Sequence, residues 1–329
     1  MRDKTGLGLV MMPLLLALML AGCGQGPAAP ATGTIQSARP PMQSLYSDAA
    51  FAAPNLGLIA GWQGTVLRST DLGLTWKTVS VPIGADLNSV AFVNASTAIA
   101  VGSAGNVIRS SDSGRTWSAV GARTSATLNR IVKDGAGAAV AVGWHGTIIR
   151  TTDGGATWTR AAGPIDTDDQ LTDIDFAGPV GMAVASDGHA YKTVDGGINW
   201  TPLNIPGSFP IYTVDVIDAN NALVAGAKGA MLLTANGGID WQPVNPTVKN
   251  DILSVRDIDP RNVIAVGWEG TIIRSTDGGR TWGALSSPTS RPLRALAIID
   301  STNVIAVGDG QTIIDSRNAG FSWTPLRGM

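Results

Sequence analysis

Apolar and polar residues follow one another along this chain in a pattern that returns every 41 or 42 residues. Each repeat opens with an alternating segment such as Leu87, Val90 and Phe92, and a run of small apolar residues such as AIAVG follows. A third apolar segment leads into a glycine-rich turn, and a fourth begins at a tryptophan. This pattern predicts four short strands in every repeat. Seven tryptophans mark the period: Trp76, Trp117, Trp158, Trp200, Trp241, Trp282 and Trp323.

Four strands in about 40 to 45 residues is the repeat length of a β-propeller blade. The adjacent pairs Ile148-Ile149 and Ile272-Ile273 support this interpretation, since neighbouring residues of a strand point to opposite faces and only a sheet covered on both sides buries both. We therefore expect an all-β fold, a seven-bladed β-propeller with four antiparallel strands per blade, over residues 45–329. A solenoid is the alternative, but the end repeats lack the different character of capping units. The first strand near 46–51 and the last near 323–326 predict that the ring closes without exchanging a strand.

The N-terminus has the pattern of an export signal. Arg2 and Lys4 precede an apolar run over 7–20, and Leu20-Ala21-Gly22-Cys23 resembles a bacterial lipobox. We expect residues 1–23 to be a lipoprotein signal whose cysteine receives the acyl chains, and residues 24–44, rich in Pro, Gly, Ala and Ser, to be a flexible tether. The protein would then be exported and anchored at the periplasmic side of the outer membrane, or in the thylakoid lumen of a photosynthetic host. Cys23 is the only cysteine, which excludes a disulfide within the chain.

Composition narrows the range of partners. Charged residues make up 15% of the chain and the formal net charge is −2, so no general field attracts nucleic acid. Glycine is abundant, with 41 residues, and favours tight turns between strands. We expect no nucleic-acid partner.

The glycine-rich turn of each repeat matches the Asp-box, the S-x-D-x-G-x-T-W motif of many propellers. Its acidic residue accepts hydrogen bonds from N–H groups of its own turn, and its tryptophan packs between blades. Asparagine replaces aspartate in two repeats, and an amide can cap such a turn but cannot act as a catalytic carboxylate. We interpret the motif as structural. Its central residues are Asp71, Asp112, Asp153, Asp195, Asn236, Asp277 and Asn318.

Recognition is then expected where the repeats differ. In a propeller the tips between the second and third strands (B–C tips) share one face with the connections that enter each blade (D–A connections), and we call this the B–C face. The Asp-boxes lie on the opposite face. Exposed aromatic tips are typical of interaction sites, although each ring can instead fold back on a D–A connection. The predicted binding residues of this face are Trp62, Trp144, His145, Trp268 and Glu269.

A basic residue stands eight positions before the tryptophan in five repeats. In the fifth and seventh repeats Leu233 and Asp315 take that position. Two interpretations remain open: a patch that binds an acidic peptide, or side chains that lie between the blades. The candidates for the patch are Arg68, Arg109, Arg150 and Arg274.

Enzyme chemistry finds little support. A sialidase needs an arginine triad, a tyrosine nucleophile with a glutamate partner, and an acid aspartate. The chain has three tyrosines and a single glutamate, Glu269, and no Arg-Ile-Pro segment precedes its first Asp-box. His145 and His189 are the only histidines, so we expect neither a metal nor another cofactor.

The repeats at 142–158 and 266–282, VGWHGTIIRTTDGGATW and VGWEGTIIRSTDGGRTW, resemble the photosystem II stability and assembly factor family of seven-bladed propellers. The resemblance implies a non-enzymatic monomer that holds a membrane-protein complex or its assembly intermediate through an arginine-rich patch. Carried over to this sequence, that patch consists of Arg68, Arg109, Arg150 and Arg274. The competing hypothesis is a carbohydrate-binding or sialidase-like propeller, in which Trp62, Trp144 and Trp268 would stack on sugars.

Overall fold

The computed structural model describes residues 45–52, 55–134 and 138–326, and the predicted signal and tether lie outside them. The described chain forms seven four-stranded antiparallel sheets, each built from four strands that are consecutive in sequence. The prediction of a seven-bladed β-propeller is therefore confirmed. Among the described residues, no helix has both the length and the apolar character needed to span a bilayer.

The first strand of each blade is its longest, and the register of the first two strands is set by alternating or continuous apolar residues. The first, strand A, occurs as β1 (Tyr46–Ala52), β5 (Leu87–Phe92), β9 (Leu128–Lys133), β13 (Leu171–Ala177), β17 (Ile211–Val216), β21 (Ile252–Asp257) and β25 (Leu293–Ile298). The second, strand B, occurs as β2 (Leu56–Gly61), β6 (Ala98–Gly102), β10 (Ala139–Gly143), β14 (Val180–Ala185), β18 (Ala222–Gly226), β22 (Val263–Gly267) and β26 (Val304–Gly308).

The third strand of each blade leads into the Asp-box, and a short fourth strand follows it. Strand C occurs as β3 (Thr65–Ser69), β7 (Asn106–Ser110), β11 (Thr147–Thr151), β15 (Ala190–Thr193), β19 (Met231–Thr234), β23 (Ile272–Ser275) and β27 (Thr312–Ser316). Strand D occurs as β4 (Lys77–Thr78), β8 (Ser118–Gly121), β12 (Thr159–Arg160), β16 (Thr201–Leu203), β20 (Gln242–Val244), β24 (Gly283–Ala284) and β28 (Thr324–Pro325).

The core is divided among the seven interfaces between neighbouring blades. Ile149 packs into the cluster between blades two and three, whereas the adjacent Ile148 packs between blades three and four. The predicted burial of such pairs on both faces is thus confirmed, and each buried isoleucine contributes about 1.5 to 3 kcal/mol. One cluster joins Tyr46 and Trp76 of blade one to Ile305 of blade seven, and Arg317 of blade seven donates to the Leu72 carbonyl of blade one at 3.2 Å. Blades seven and one therefore meet through side-chain contacts.

In six of the seven blades, strand B ends against a backbone carbonyl and requires glycine there for steric reasons. A Cβ atom added at Gly267 would lie 2.0 Å from the carbonyl oxygen of Asp251, which belongs to the D–A connection of the same blade. That close approach lets the Asp251 carbonyl accept a hydrogen bond from the N–H of Trp268, at 3.0 Å. This hydrogen bond ties the tip to the D–A connection beside it, on the B–C face. In blade four, where Ala185 takes the place of the glycine, the N–H of Ser186 donates to the Gln170 carbonyl in the same way, at 3.1 Å.

Candidate functional site

The B–C tips are tight turns that project side chains from one face of the ring. Glu269 and His145 adopt positive φ values of 56° and 57°, which confirms that the second tip residue must tolerate the left-handed conformation. Both side chains are exposed, and Glu269 accepts a long hydrogen bond of 3.3 Å from the Asn250 amide. The two residues are thus available on this face.

The three tip tryptophans differ in exposure. Trp144 and Trp268 expose 43% and 45% of their surface, which is high for large aromatic residues. Trp62 is half-buried and lines a cavity at the centre of the ring. The folding back considered above therefore applies best to Trp62, whereas Trp144 and Trp268 remain candidates for contact with a partner.

The central cavity has a volume of about 290 Å³ and lies where the A strands begin. Its wall combines aromatic, amide and cationic side chains. Apart from Trp62, none of these residues was among the predicted binding residues, which were expected on the B–C tips and before the Asp-boxes. Those carrying polar or aromatic groups are Asn88, Asn129, Arg130, Asp173, Tyr212, Arg256 and Arg294.

Ion pairs join four blades around this cavity. Arg130 of blade three contacts Asp48 of blade one at 2.5 Å and Asp173 of blade four at 3.2 Å, and Arg256 of blade six contacts Asp173 at 3.2 Å. Arg294 pairs with Asp309 of its own blade. The guanidinium groups are therefore engaged within the ring, and they make the cavity wall rigid and polar.

A second group of carboxylates lies deeper in the strands that line the ring. Burial raises the pKa of Asp175 to about 6, against the opposing attraction of Arg256. Burial, and then the nearby Asp175 and Asp257, also raise the pKa of Asp215. The equivalent positions of blades one and two are Ala50 and Ala91, so these acids depart from the repeat.

The basic residues before the Asp-boxes lie between blades. The Nε atoms of Arg68, Arg109 and Arg150 each donate, at 2.7 Å, to a carbonyl of the next blade's Asp-box turn. Arg274 donates in the same way, at 2.9 Å, and its guanidinium lies 3.7 Å from the Phe321 ring centre. This geometry corresponds to the second of the two interpretations left open by the sequence.

Exposure separates these arginines further. Arg274 is only 6% exposed, so it cannot meet a partner without a change of conformation. Arg68, Arg109 and Arg150 are partly exposed, and a groove of about 350 Å³ beside Arg68 is also lined by Lys77 and Arg115. A binding role for Arg68, Arg109 and Arg150 stays a prediction.

The Asp-boxes are occupied by their own hydrogen bonds. Asp277 accepts from the N–H groups of Arg280 and Thr281, and from the hydroxyl groups of Thr281 and Ser275. Hydrogen bonds from the Thr157 hydroxyl and N–H lower the pKa of Asp153 to about 2. The five carboxylates lie in five different turns around the ring, and each accepts from the residues of its own turn.

The requirements of a glycosidase are not met at the central cavity. Of the described residues lining it, Asp173 is the sole carboxylate, and two arginines hold it. Glu269 does not line the cavity, and the hydroxyl group of Tyr191 is bonded to buried Asp169 instead. Two carboxylates on opposite sides of a substrate are the usual minimum for glycoside hydrolysis.

Comparison with known proteins identifies the relatives of this propeller. The family model for Photosynthesis system II assembly factor YCF48 matches residues 31–161 and 133–260. No curated protein sequence matches the chain significantly. The solved structure "YCF48 bound to D1 peptide" shares 20% identity, with a TM-score of 0.71, over 84% of this chain and 92% of that one.

Two further structures show the same architecture. YCF48 from Cyanidioschyzon merolae is 22% identical, with a TM-score of 0.71, over 84% of this chain and 96% of that one. A GH74 xyloglucanase from Xanthomonas campestris is 15% identical, also with a TM-score of 0.71, over 87% of this chain and 55% of that one. At these identities, the likeness to the solved structures establishes the fold alone.

Proposed function

We propose that this chain, which belongs to the Photosynthesis system II assembly factor YCF48 family, is a non-catalytic scaffold that holds a peptide segment of a membrane-complex subunit on its B–C face. One observation carries the proposal: Trp144 and Trp268 stand exposed on this face, while the carboxylates of the Asp-boxes are held within their own turns. A relative described as bound to D1 peptide supports a peptide as the ligand. The partner of this chain is a membrane complex or its assembly intermediate.

The chemistry of the face suits a peptide. Exposed indoles supply rigid apolar contact area. The Asn88 and Asn129 amides and the Arg294 guanidinium line the central cavity and supply polar groups there. Truncation of one buried tryptophan at an interface typically costs about 2 kcal/mol or more. The two exposed indoles are therefore sufficient to decide binding.

The test compares a double variant of the tips with a matched control on the opposite face. Trp144→Ala with Trp268→Ala should reduce co-purification of the membrane complex more than about tenfold. Ile198→Ala with Ile239→Ala removes side chains that are 51% and 80% exposed on Asp-box turns, and should leave co-purification unchanged. Equal recovery with both double variants would overturn the proposal.

Attachment to the membrane is proposed through acyl chains on Cys23. Two or more chains give stable anchoring, and a tether of 21 residues would leave the propeller free to turn. Labelling cells with an alkyne fatty acid should mark the wild-type protein and not the Cys23→Ser variant. Release of the wild type from membranes by salt alone would contradict the anchor.

The carbohydrate alternative rests on the aromatic tips and on the similarity to a GH74 xyloglucanase, which is a similarity of fold alone. A glycan array and a panel of fluorogenic glycosides test it directly. We expect neither binding nor turnover. Reproducible turnover that Glu269→Gln abolishes would replace the scaffold proposal by an enzymatic one.

A further inference from the structure

Blade four carries three polar side chains where the other blades carry different residues. Register places Tyr191 in the position of Leu67 and Ile108, and of an isoleucine or leucine in every other blade. His189 takes the position held by Thr65 and its counterparts, which are threonine, asparagine or alanine. Asp169, two residues before strand A, has alanine as its counterpart in blades two and three. The propeller fold therefore does not need these three residues.

The three side chains contact one another. The Tyr191 hydroxyl donates to one oxygen of Asp169, and Nδ1 of His189 lies 2.8 Å from the other. Asp169 is fully buried, whereas the His189 side chain is 59% exposed, so the group extends from the core to the surface. The three departures from the repeat thus form one structure rather than three independent substitutions.

Further carboxylates surround the imidazole. The Asp187 Oδ2 atom lies 3.3 Å from Nδ1 of His189. One ligand atom each of Asp166, Asp169 and His189 lie within 4.8 Å of one another, and within the described parts of the chain no other three potential metal ligands converge in this way. No metal was predicted from the sequence because His145 and His189 are the only histidines.

We propose that Asp166, Asp169 and His189 bind a divalent transition metal ion of the Zn²⁺ type, with Asp187 as a fourth ligand. Imidazole nitrogen together with carboxylate oxygen favours Zn²⁺ over the hard cations, which prefer oxygen alone. The ion takes the place of the proton between His189 and Asp169. Ligand atoms of a tetrahedral Zn²⁺ site lie about 3.4 Å apart, so the 2.8 Å contact between these two residues has to open only slightly. Three carboxylates and one neutral imidazole offset its charge.

Tyr191 has the geometry of a positioning residue for this site. Its hydroxyl group holds the oxygen of Asp169 that does not face His189, and it also accepts from the Asp166 N–H at 3.0 Å. Groups that orient metal ligands in this way typically change metal affinity by about 10- to 100-fold. The ion would link the D–A connection entering blade four to the B–C connection of the same blade.

Calorimetric titration of the full chain with ZnCl₂ tests the site, with Cys23→Ser as the background so that the thiol cannot bind the ion. We expect one saturable site, a loss of affinity of at least about 10-fold in Asp166→Asn and in His189→Gln, and a smaller loss in Tyr191→Phe. Asp166 is exposed, so Asp166→Asn is expected to leave the fold intact, and circular dichroism verifies that.

The matched control is His145→Gln, which removes the other histidine, itself exposed on a B–C tip. It should bind Zn²⁺ as the background protein does, and Ca²⁺ should not compete. The proposal is overturned if the background protein shows no saturable binding up to millimolar Zn²⁺, if Asp166→Asn and His189→Gln bind as tightly as it does, or if His145→Gln alone loses the site.

Discussion

Asn236 and Asn318 show what the Asp-box turn requires of its central residue. Each amide oxygen accepts a hydrogen bond from the N–H four residues later, at 2.9 Å, and each amide nitrogen donates to the side chain there, Asp240 or Ser322. The turn needs an acceptor for its N–H groups and a match between two side chains. It does not need a negative charge, which is why the motif is structural in this chain.

Substitutions at Asp277 separate these requirements. Asp277→Ala removes the carboxylate that accepts from Arg280 and Thr281 and is expected to lower the free energy of unfolding by about 1 to 3 kcal/mol. Asp277→Asn keeps a side-chain oxygen that accepts from the backbone N–H groups, and its amide nitrogen can donate to Thr281. Its cost in unfolding free energy is therefore expected to stay below about 1 kcal/mol. Urea unfolding of both variants measures the difference, and equal costs would contradict the structural role.

Two acids of the A strands, Asp175 and Asp215, predict an unusual dependence of stability on pH. Burial raises the folded-state pKa of Asp175 to about 6 and raises that of Asp215 as well, so the folded protein keeps protons that the unfolded chain releases near pH 4. This contribution to stability is complete below about pH 4 and is lost as pH rises through 6.

Asp215→Asn removes one titrating group from this set. The melting temperature of the variant, relative to the wild type, should therefore rise as pH increases from 4 to 8. Thermal unfolding at several pH values in this range measures the difference. A difference that stays constant with pH would show that Asp215 ionises in the folded protein as it does in the unfolded chain.

At the scale of the blade, stability comes from contacts with the next blade. Each interface combines an apolar cluster with, in five blades, a basic side chain that reaches a carbonyl of the neighbouring Asp-box turn. Lys192 does this in blade four, where its Nζ lies 2.6 Å from the Gly237 carbonyl oxygen. In blade five Leu233 joins the apolar cluster instead. The arginine that contacts the neighbouring Asp-box turn is thus replaced by lysine in blade four and by leucine in blade five of the same chain.

Those natural variants predict the effect of changing Arg109. Arg109→Lys should retain the contact with the Gly154 carbonyl and cost little, whereas Arg109→Leu loses one charged hydrogen bond and should cost about 1.5 to 3 kcal/mol. Chemical denaturation compares the two. If Arg109→Leu is as stable as the wild type but no longer binds a peptide that the wild type binds, the peptide-binding patch would be favoured over the role between blades.

The sequence predicted the blades well and the site less well, for a physical reason. Period, alternating apolar residues and turn glycines act within one repeat, so they are visible in the order of residues. The contact between Arg130 and Asp48 joins blades three and one, and the contact between Asp169 and His189 joins two loops of blade four, so neither is visible in the pattern of a single strand. Alignment of the seven repeats by register would have found Arg130, Asp169 and His189, since each departs from the residue type of its counterparts. It would not have found Asp48, whose counterpart in blade four is also aspartate, Asp173.

At the scale of the whole molecule, the ring closes without exchanging a strand. Blade one contains β1 to β4 and blade seven contains β25 to β28, so each blade consists of four consecutive strands. A D–A connection joins each blade to the next, except between blade seven and blade one. Eight residues separate Thr78 from Leu87 in the connection between blades one and two. The junction between blades seven and one is therefore one of seven equivalent blade junctions.

Circular permutation tests this equivalence. A chain that begins after Ala284 and joins residue 326 to residue 45 through about eight flexible residues should fold with a melting temperature within a few degrees of the wild type. A second permutant opened at the tip after Ser103 divides a blade between its two ends and should be clearly less stable. Similar losses of melting temperature in both permutants would show that the junction between blades seven and one is structurally different from the others.

The account rests on recognition by the B–C face and not by the Asp-boxes. The most direct measurement places a photo-crosslinking amino acid at position 268, on a tip, and in a second protein at position 239, on an Asp-box turn, and identifies the crosslinked peptides from native membranes. The account predicts a peptide of a membrane-complex subunit at position 268 and none at position 239. The same subunit captured at position 239 and not at position 268 would contradict it.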